Sequence, residues 1–351
     1  MNQEIWDFKM KNCALSFLAV TCIFVLAAKL AHAQESEPLS LEASILLPNV
    51  KGRIDHFSVD LKGQRIFVAA VRNHSVEIID LKSRQRVHSI TDLAEPQGVF
   101  FDASTNRLFV ACALDGVTKI FDGSTYKLLT SIKFPDDADN IRYDSRRKQI
   151  IVGYAGAKQL RKRQEGSGGL GFVDSDGKRA GDVVIDAHPE SFQIDEAASH
   201  IFVNVPDKQE IEVIDAAKRT VAARWPVTSC KNNFPMALDS AHHRLLVGCW
   251  DPPRLLAFDT ETGEEMASAE IAGKTDDLFY DSRRGRIYVL TAVGFLEVFQ
   301  QTGSDRYARI AQYPTPLLSQ TGLWVDSWDK LFVAAPQHDG KDAELRIYQP
   351  H

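Results

Sequence analysis

The 351-residue sequence lacks the short motifs that define many well-known enzymes. It has no G-x-S-x-G nucleophile elbow, no H-E-x-x-H zinc helix and no Walker-type phosphate loop. The absence of C-x-x-C-H means that covalently attached haem is not indicated. No reaction is therefore predicted from a motif, and function has to be argued from the residues that the fold brings together.

Cysteine is scarce, and there is no excess of positive charge. Only three of the five cysteines follow residue 33, namely Cys112, Cys230 and Cys249, and an odd number leaves at least one thiol unpaired or shared in an exported protein. The formal net charge of −6 disfavours general nucleic-acid binding. The expected partner is a small molecule or a protein, and the chain is expected to be a monomer.

Long apolar runs are scarce too, and only Cys13–Ala28 stands out. Two lysines precede this run, and Ala31-His32-Ala33 follows it with the small-x-small pattern that signal peptidase reads. The pattern predicts a cleaved signal peptide over residues 1–33, with Met10 as an alternative start, and a periplasmic or secreted bacterial protein. The run is shorter than the ~20 residues of a comfortable membrane span, so no transmembrane segment is predicted in the mature protein.

What the sequence does have is a repeat. Seven segments share the order apolar-x-apolar-Asp, polar turn and short apolar run, as in FSVDLKGQRIFVAA and LFYDSRRGRIYVLT. Their turn aspartates are spaced by 42, 42, 51, 44, 42 and 45 residues, which is the period of propeller blades. The turn aspartates are Asp60, Asp102, Asp144, Asp195, Asp239, Asp281 and Asp326. Their side chains are predicted to accept backbone hydrogen bonds in Asx-type turns.

Each repeat contains four short runs with the composition of strands, which predicts an all-β, seven-bladed β-propeller of four-stranded antiparallel blades. The last repeat ends at AELRIYQP without a fourth strand, whereas LEASILLP precedes the first repeat and has no blade of its own. Pairing the two would complete the seventh blade and close the ring. The propeller is therefore predicted to span residues 39–351, after a short linker at 34–38.

The one long spacing comes from a basic, Gly-rich insertion at residues 156–171, between two strands of the third repeat. A disordered loop is one interpretation. The other is a lid or a partner-docking loop that uses four positive charges. These belong to Lys158, Arg161, Lys162 and Arg163.

The repeated strands carry a resemblance to a known family. RIFVAA, RLFVAC, HIFVNV, RIYVLT and KLFVAA are each followed by a strand such as VEIID or IEVID, and together they resemble the YncE-like propellers built from YVTN repeats. The Gly-His and Trp-Asp marks of WD40 repeats, a related propeller class, are missing. The resemblance implies an exported bacterial propeller that binds something, and it implies no particular reaction.

In a propeller, the loops that lead into the innermost strands meet at the mouth of the central channel. The residue five positions before the turn aspartate is acidic in four of the seven repeats. These seven residues are Asp55, Gln97, Asp139, Glu190, Phe234, Asp276 and Thr321. The polar neighbours in the same loops are Arg53, His56, Asn140, His188, Asn232, Asn233, Asp277 and Gln320.

Three interpretations of this ring stay open at the level of sequence. The residues cap strand ends and face water, or they bind a small molecule or peptide, or they hold a hard cation such as Ca²⁺ through Asp139, Glu190 and Asp276. The candidate ligand-binding residues are Asp55, Gln97, Asp139, Asn140, Glu190, Asn233, Asp276 and Asp277.

A metal-assisted hydrolase of lactonase type is an alternative function for the same ring. His56 beside Asp55, or His188 two residues before Glu190, would then be the catalytic base. Neither pair belongs to a motif with a specific spacing, so a ligand- or partner-binding propeller is the main expectation. A non-enzymatic assembly scaffold is the third alternative.

Cys230 and Cys249 flank the first two strands of the fifth repeat. Antiparallel pairing of those strands would bring both residues to one face of the ring, which makes a disulfide plausible in an oxidising compartment. Cys112 would then be a buried core residue.

Overall fold

The apolar runs of the repeats form β-strands, as their β-branched and aromatic residues favour. The structure is a computed structural model, and it describes residues 37–156 and 167–351. Within them, 28 strands over Leu39–Pro350 form seven sheets of four antiparallel strands. The prediction of an all-β, seven-bladed propeller is confirmed.

Each blade runs outward from a strand beside the axial channel. Chain order starts with β1 (Leu39–Leu47), which precedes the first blade. Blades 1 to 3 contain β2 (Phe57–Asp60), β3 (Arg65–Ala70), β4 (Ser75–Asp80) and β5 (Gln85–Ile90); β6 (Pro96–Asp102), β7 (Arg107–Cys112), β8 (Val117–Asp122) and β9 (Leu128–Lys133); and β10 (Asp136–Asp144), β11 (Gln149–Ala155), β12 (Gly168–Asp174) and β13 (Arg179–Ile185).

The remaining blades repeat this order. Blades 4 and 5 contain β14 (Phe192–Asp195), β15 (His200–Val205), β16 (Glu210–Asp215) and β17 (Thr220–Pro226); and β18 (Lys231–Asp239), β19 (Arg244–Asp251), β20 (Pro253–Asp259) and β21 (Glu265–Glu270). Blades 6 and 7 contain β22 (Thr275–Asp281), β23 (Arg286–Thr291), β24 (Phe295–Gly303) and β25 (Arg306–Pro314); and β26 (Gly322–Val325), β27 (Lys330–Ala335) and β28 (Ala343–Pro350).

The seventh blade takes its fourth strand from the start of the propeller. β1 pairs antiparallel with β28, with Leu39 opposite Pro350 and Leu47 opposite Ala343. The sheet order is β1-β28-β27-β26, so β1 is the outermost strand of this blade. The predicted closure of the ring is confirmed.

The hydrophobic core lies between neighbouring blades rather than at one centre. Each of seven buried clusters joins residues of two adjacent sheets, and together the clusters follow the whole ring. Phe67 of blade 1, for example, stacks on Phe101 of blade 2 with 5.2 Å between ring centroids. Because the second strand of each blade is buried on both faces, it reads as a nearly continuous apolar run. This packing holds the innermost strands around the axial channel.

Short turns separate the first and second strands of each blade. Six of the seven turn aspartates accept backbone N–H groups two or three residues later, as Asp60 does from Gly63 at 2.9 Å. Asp326 differs because it begins a 3₁₀-helix, and it accepts a hydrogen bond from Arg283 instead. The 3₁₀-helices of the described residues are Val71–Asn73, Pro206–Lys208, Ser240–His242 and Asp326–Trp328.

The basic insertion is shorter than predicted at its C-terminal end. Strand β12 already begins at Gly168, so residues 168–171 belong to a sheet and not to a loop. Strand pairing there tolerates only glycine, because a Cβ on Gly168 would lie 2.6 Å from the carbonyl oxygen of Tyr154. The four basic residues and the predicted signal peptide lie outside the described residues. Among the residues described, no helix is long and apolar enough to cross a membrane.

Candidate functional site

The innermost strands enclose an axial cavity of about 530 Å³, a volume typical of small-molecule sites. All seven blades contribute to its wall, whose side chains are mostly aromatic or aliphatic but whose exposed surface is about half polar. His56 and Asp277 lie among the lining residues, so the cavity reaches the loops where the acidic ring was predicted. We call this end of the channel, formed by the loops before the innermost strands, the mouth.

Three neighbouring blades are connected at the mouth by a chain of polar side chains. Arg53 donates hydrogen bonds to Asp55 and, at 3.0 Å, to Gln97 Oε1. Gln97 Nε2 in turn donates to Asp137 Oδ1 at 3.3 Å. Asp55, with smaller effects from Asp276 and other carboxylates, raises the pKa of Arg53 against the opposing effect of burial. The arginine therefore stays charged among the acids.

His56 lies between two carboxylates that come from different blades. Its Nε2 is 3.8 Å from Asp55 Oδ1, and its Nδ1 is 3.5 Å from Asp277 Oδ1. Burial lowers the pKa of His56, but the charges of Asp55 and Asp277 outweigh burial and raise the pKa to about 10. A histidine that is protonated at neutral pH cannot accept a proton, which argues against His56 as the catalytic base of a hydrolase.

Asp139 and Asn140 are buried at the start of the innermost strand of blade 3. Their Oδ1 atoms have no hydrogen-bond partner among the described residues, and the same is true of Asp55 Oδ1. Burial raises the pKa of Asp139 to about 7, although the positive charge of His56 opposes this change. Three acceptor atoms at the mouth are therefore removed from bulk water without a protein donor.

Gly98 brings two innermost strands together at this point. A Cβ on Gly98 would lie 2.0 Å from the backbone carbonyl oxygen of Asp139, so any other residue would push β6 away from β10. The glycine fixes the position of Asp139 relative to blade 2. This close approach is one reason why the acidic residues of neighbouring blades come within electrostatic range of each other.

Blades 6 and 7 are joined at the mouth by carboxylates that have partners. Gln320 Nε2 donates to Asp276 Oδ2 at 2.6 Å, and the backbone N–H of Gly322 donates to Asp277 Oδ2 at 2.9 Å. Burial raises the pKa of Asp276 to about 6, and Arg53 partly offsets the increase. Thr321, the seventh ring position, donates to the carbonyl oxygen of Ile54 at 3.0 Å and so links blade 7 to blade 1.

The second histidine lies in a similar setting on the opposite blades. His188 Nδ1 is 3.7 Å from Glu190 Oε1, and His188 Nε2 is 3.9 Å from Asp137 Oδ2. Burial raises the pKa of Asp137, an effect that His188 partly offsets. Asp137 was not among the predicted site residues, because it lies two positions before Asp139 and outside the ring alignment. The structure brings it into the mouth through Gln97.

Asn233 is buried, and its two polar atoms differ in their partners. Its Nδ2 donates to Asn204 Oδ1 at 2.8 Å and to the carbonyl oxygen of Glu210 at 3.1 Å, both in blade 4, whereas its Oδ1 has no hydrogen-bond partner among the described residues. These contacts give it a role in joining blades 4 and 5. Its neighbour Phe234 stacks on Trp250 with 3.9 Å between centroids, so blade 5 presents an aromatic pair where four of the other blades present acids.

Cys230 and Cys249 form a disulfide within blade 5, with their Cα atoms 6.1 Å apart. Trp250 follows directly, and its Nε1 donates to the carbonyl oxygen of Thr275 in blade 6 at 2.7 Å. The disulfide therefore lies beside the aromatic pair. Cys112 is a free, buried cysteine, and burial raises its pKa to about 12, which keeps it unreactive.

Arg142 is the main residue that the sequence analysis missed. It lies two positions before a turn aspartate, and in all seven blades the residue at this position lines the cavity. The alignment of the repeats therefore marks this position as one that could line the channel. The other six residues at this position are Ser58, Phe100, Gln193, Ala237, Phe279 and Trp324, so Arg142 is the one charged member.

The residues predicted to hold Ca²⁺ do not form a recognisable metal site. Within the part of the chain that the structure describes, no group of three or more His, Cys, Asp or Glu side chains could hold a metal ion. Asp139, Glu190 and Asp276 come from blades 3, 4 and 6. The metal-assisted hydrolase stays a prediction, and no step is derived through a metal.

Comparisons with known proteins identify the fold alone. No family model matches the chain, and none of the curated proteins matches it either. A chain in a structure described as the crystal structure of the mitotic checkpoint complex is similar, with a TM-score of 0.73 over 89% of this chain and 92% of that chain. The sequence identity is 12%, so the similarity supports a propeller architecture and no shared activity.

Proposed function

We propose that this protein is an exported binding protein that takes up a small ligand, or the terminal group of a larger partner, at the mouth of its axial channel. The proposal agrees with the predicted signal peptide and with the resemblance to YncE-like propellers. It treats the ring of polar loops as a recognition surface and the cavity behind it as the space for the rest of the ligand.

One observation carries the proposal: buried acceptor atoms at the mouth lack donors. Buried polar atoms in folded proteins are nearly always hydrogen-bonded, because leaving one unsatisfied costs about 1–3 kcal/mol. Asp55, Asp139 and Asn140 each have such an atom within the described residues. A ligand with hydrogen-bond donors would satisfy them.

The charge of the mouth narrows the class of ligand. Arg53 and His56 are the cations that hold the acidic ring together, but the carboxylates outnumber them. The carboxylates are Asp55, Asp137, Asp139, Glu190, Asp276 and Asp277. A group that is cationic, or that donates several hydrogen bonds, is favoured over an anion at this end of the channel. Primary amines and polyols have this chemistry.

The test is a thermal-shift screen of the mature protein, residues 34–351, against small amines and polyols, followed by calorimetric titration of any compound that stabilises it. Asp139→Asn should weaken binding of an amine about tenfold, which is the effect of losing one charge-assisted hydrogen bond. Glu264→Gln removes an exposed carboxylate on the turn between β20 and β21 and serves as the matched control. It should leave affinity unchanged.

Two results would contradict the proposal. In one, no amine or polyol stabilises the protein at any concentration that leaves the fold intact. In the other, a compound binds but Asp139→Asn and Glu264→Gln have equal effects, which would place the binding surface elsewhere, for example on the rim that an assembly scaffold would use.

A further inference from the structure

The axial cavity contains an arginine that no carboxylate neutralises within the described residues. The guanidinium of Arg142 has five N–H donors, and its one hydrogen bond to protein runs from Nη1 to the carbonyl oxygen of Ile141 at 2.9 Å. Its other contact is with the ring of Phe192, 5.7 Å from the centroid. Most of its donors are therefore directed into the cavity without a partner.

Several other partly buried arginines of this protein are paired with carboxylates. Arg65 binds Asp60 at 2.7 Å, Arg147 binds Asp144 at 2.8 Å and Arg284 binds Asp281 at 3.0 Å. Those pairs close the turns between the first and second strands. Arg142 precedes such a turn by two residues, but it lines the channel instead of pairing with the turn aspartate. Arg142 therefore does not stabilise a turn in the way that those arginines do.

Solvation of Arg142 is incomplete, which makes an anionic partner favourable. Burial lowers the pKa of Arg142, and the more distant charges of Asp277 and Asp139 offset only part of the effect. Charges removed from water in proteins are normally paired, because desolvation is otherwise uncompensated. The surrounding wall offers aromatic surface from Tyr143 and Trp324, and its one carboxylate among the lining residues, Asp277, forms no ion pair with Arg142.

We propose that Arg142 is the anion subsite of the channel and that the ligand is a zwitterion, with an ammonium group at the acidic mouth and a carboxylate at Arg142. The inference rests on the proposed function, since it assigns the inner end of the same ligand. The chemistry is that of an ω-amino acid or a short peptide.

Strand geometry sets an upper limit on the length of such a ligand. Asp139 and Arg142 lie three residues apart on β10, which is at most about 10 Å along a strand, and a bulge between Ala138 and Ile141 shortens the distance. A chain of five or six carbon atoms between ammonium and carboxylate is long enough for this distance. Aromatic and aliphatic side chains of the wall, which alternate with polar groups, offer contact surface for the methylene groups of that chain.

The test compares three probes of nearly equal size by calorimetric titration: 6-aminohexanoate, hexylamine and hexanoate. We expect 6-aminohexanoate to bind at least about tenfold more tightly than hexylamine, because it gains a charge-assisted hydrogen bond to Arg142. Hexanoate should bind most weakly, since the mouth repels its approach.

Two variants separate the subsite from the mouth. Arg142→Gln should remove the preference for 6-aminohexanoate and leave hexylamine unchanged, whereas Asp139→Asn should weaken both. Arg142→Lys keeps the charge and should retain part of the preference, so it tests the subsite even if the glutamine variant does not fold.

Equal affinity for 6-aminohexanoate and hexylamine, unchanged by Arg142→Gln, would overturn the anion subsite while leaving the proposed function standing. Failure of both amines to bind would overturn the subsite as well, and failure of the polyols in addition would overturn the proposed function.

Discussion

Buried carboxylates occur in two regions of this propeller, and the two regions differ in what surrounds them. Within the blades, Glu297 accepts hydrogen bonds from Arg309 at 2.5 Å, from Gln312 at 3.2 Å and from the backbone N–H of Ala272 at 2.7 Å. At the mouth, the Oδ1 atom of Asp139 has no donor among the described residues. Both side chains are buried, so burial alone does not distinguish a structural acid from a binding one.

The comparison shows that these two acids differ in the number of donors around them. Glu297 has donors from neighbouring chain segments, and it fastens strands together. Asp139 is positioned by packing, such as the close approach of Gly98 to its backbone, and one of its carboxylate oxygens has no donor among the described residues. Removing the cationic partner of Glu297 should therefore lower the free energy of unfolding, whereas neutralising Asp139 at the mouth should raise it.

The largest effect is expected in a blade. Arg309→Met leaves the Glu297 carboxylate, which is 0% exposed, without its cationic partner, and should lower the free energy of unfolding by about 3 kcal/mol. Urea denaturation measures the change. The double variant Glu297→Leu/Arg309→Met removes both charges and should recover most of the loss. A single variant as stable as the parent protein would mean that the pair contributes nothing to the blade.

A smaller loss of stability is expected from a substitution that separates two innermost strands at the mouth. Gly98→Ala inserts a Cβ 2.0 Å from a backbone oxygen and should destabilise the protein by about 2 kcal/mol, because β6 and β10 must separate. The matched control is Gly153→Ala, whose nearest neighbours would be at ordinary contact distances of 3.7–3.9 Å. Similar stability of the two variants would show that the close approach of these strands is not required.

The features of the fold and of the mouth that the sequence predicts are those that recur from repeat to repeat. The seven turn aspartates and the incomplete last repeat predict the blades and their closure, because strand pairing within a propeller is local. The ring at the mouth was predicted in outline, since loops that converge must bring Asp55, Asp139 and Asp276 into one region. The sequence cannot show which polar atoms find partners, as in Asn233, whose Nδ2 binds Asn204 in the neighbouring blade while its Oδ1 has no partner among the described residues.

Arg142 was overlooked for a different physical reason. In IRYD it reads as one polar residue in an apolar strand, and only the three-dimensional ring shows that this position faces a hollow rather than solvent or a neighbouring blade. Asp137 was missed because its link to the mouth runs through Gln97 of another blade. The repeat period does not indicate which side chains of neighbouring blades contact each other.

A gain in stability is expected from neutralising the Asp139 carboxylate at the mouth. Asp139→Asn should stabilise the protein by about 1 kcal/mol at neutral pH, because it removes a buried charge that lacks a donor. The folded-state pKa of Asp139 is raised above its ordinary value of 3.8 to about 7. Its contribution to stability is therefore fully present below about pH 4 and is lost as the pH rises through about 7. Urea denaturation at a series of pH values measures both effects.

Asp139→Asn should flatten this part of the pH profile, and Glu264→Gln, at an exposed turn, should leave it unchanged. Parallel profiles for the parent and Asp139→Asn would mean that the mouth carboxylate is as well solvated or as well paired as the acids of the blades.

The most direct measurement of the difference between mouth and blades is the pKa of the Asp139 carboxyl itself, followed by carboxyl-carbon NMR with and without 6-aminohexanoate. We predict a pKa of about 7 in the free protein, which falls towards the ordinary aspartate range when an ammonium group binds beside the carboxylate. An ordinary pKa in the free protein, or a raised pKa that the ligand does not change, would contradict the claim that this acid is kept unpaired for a ligand.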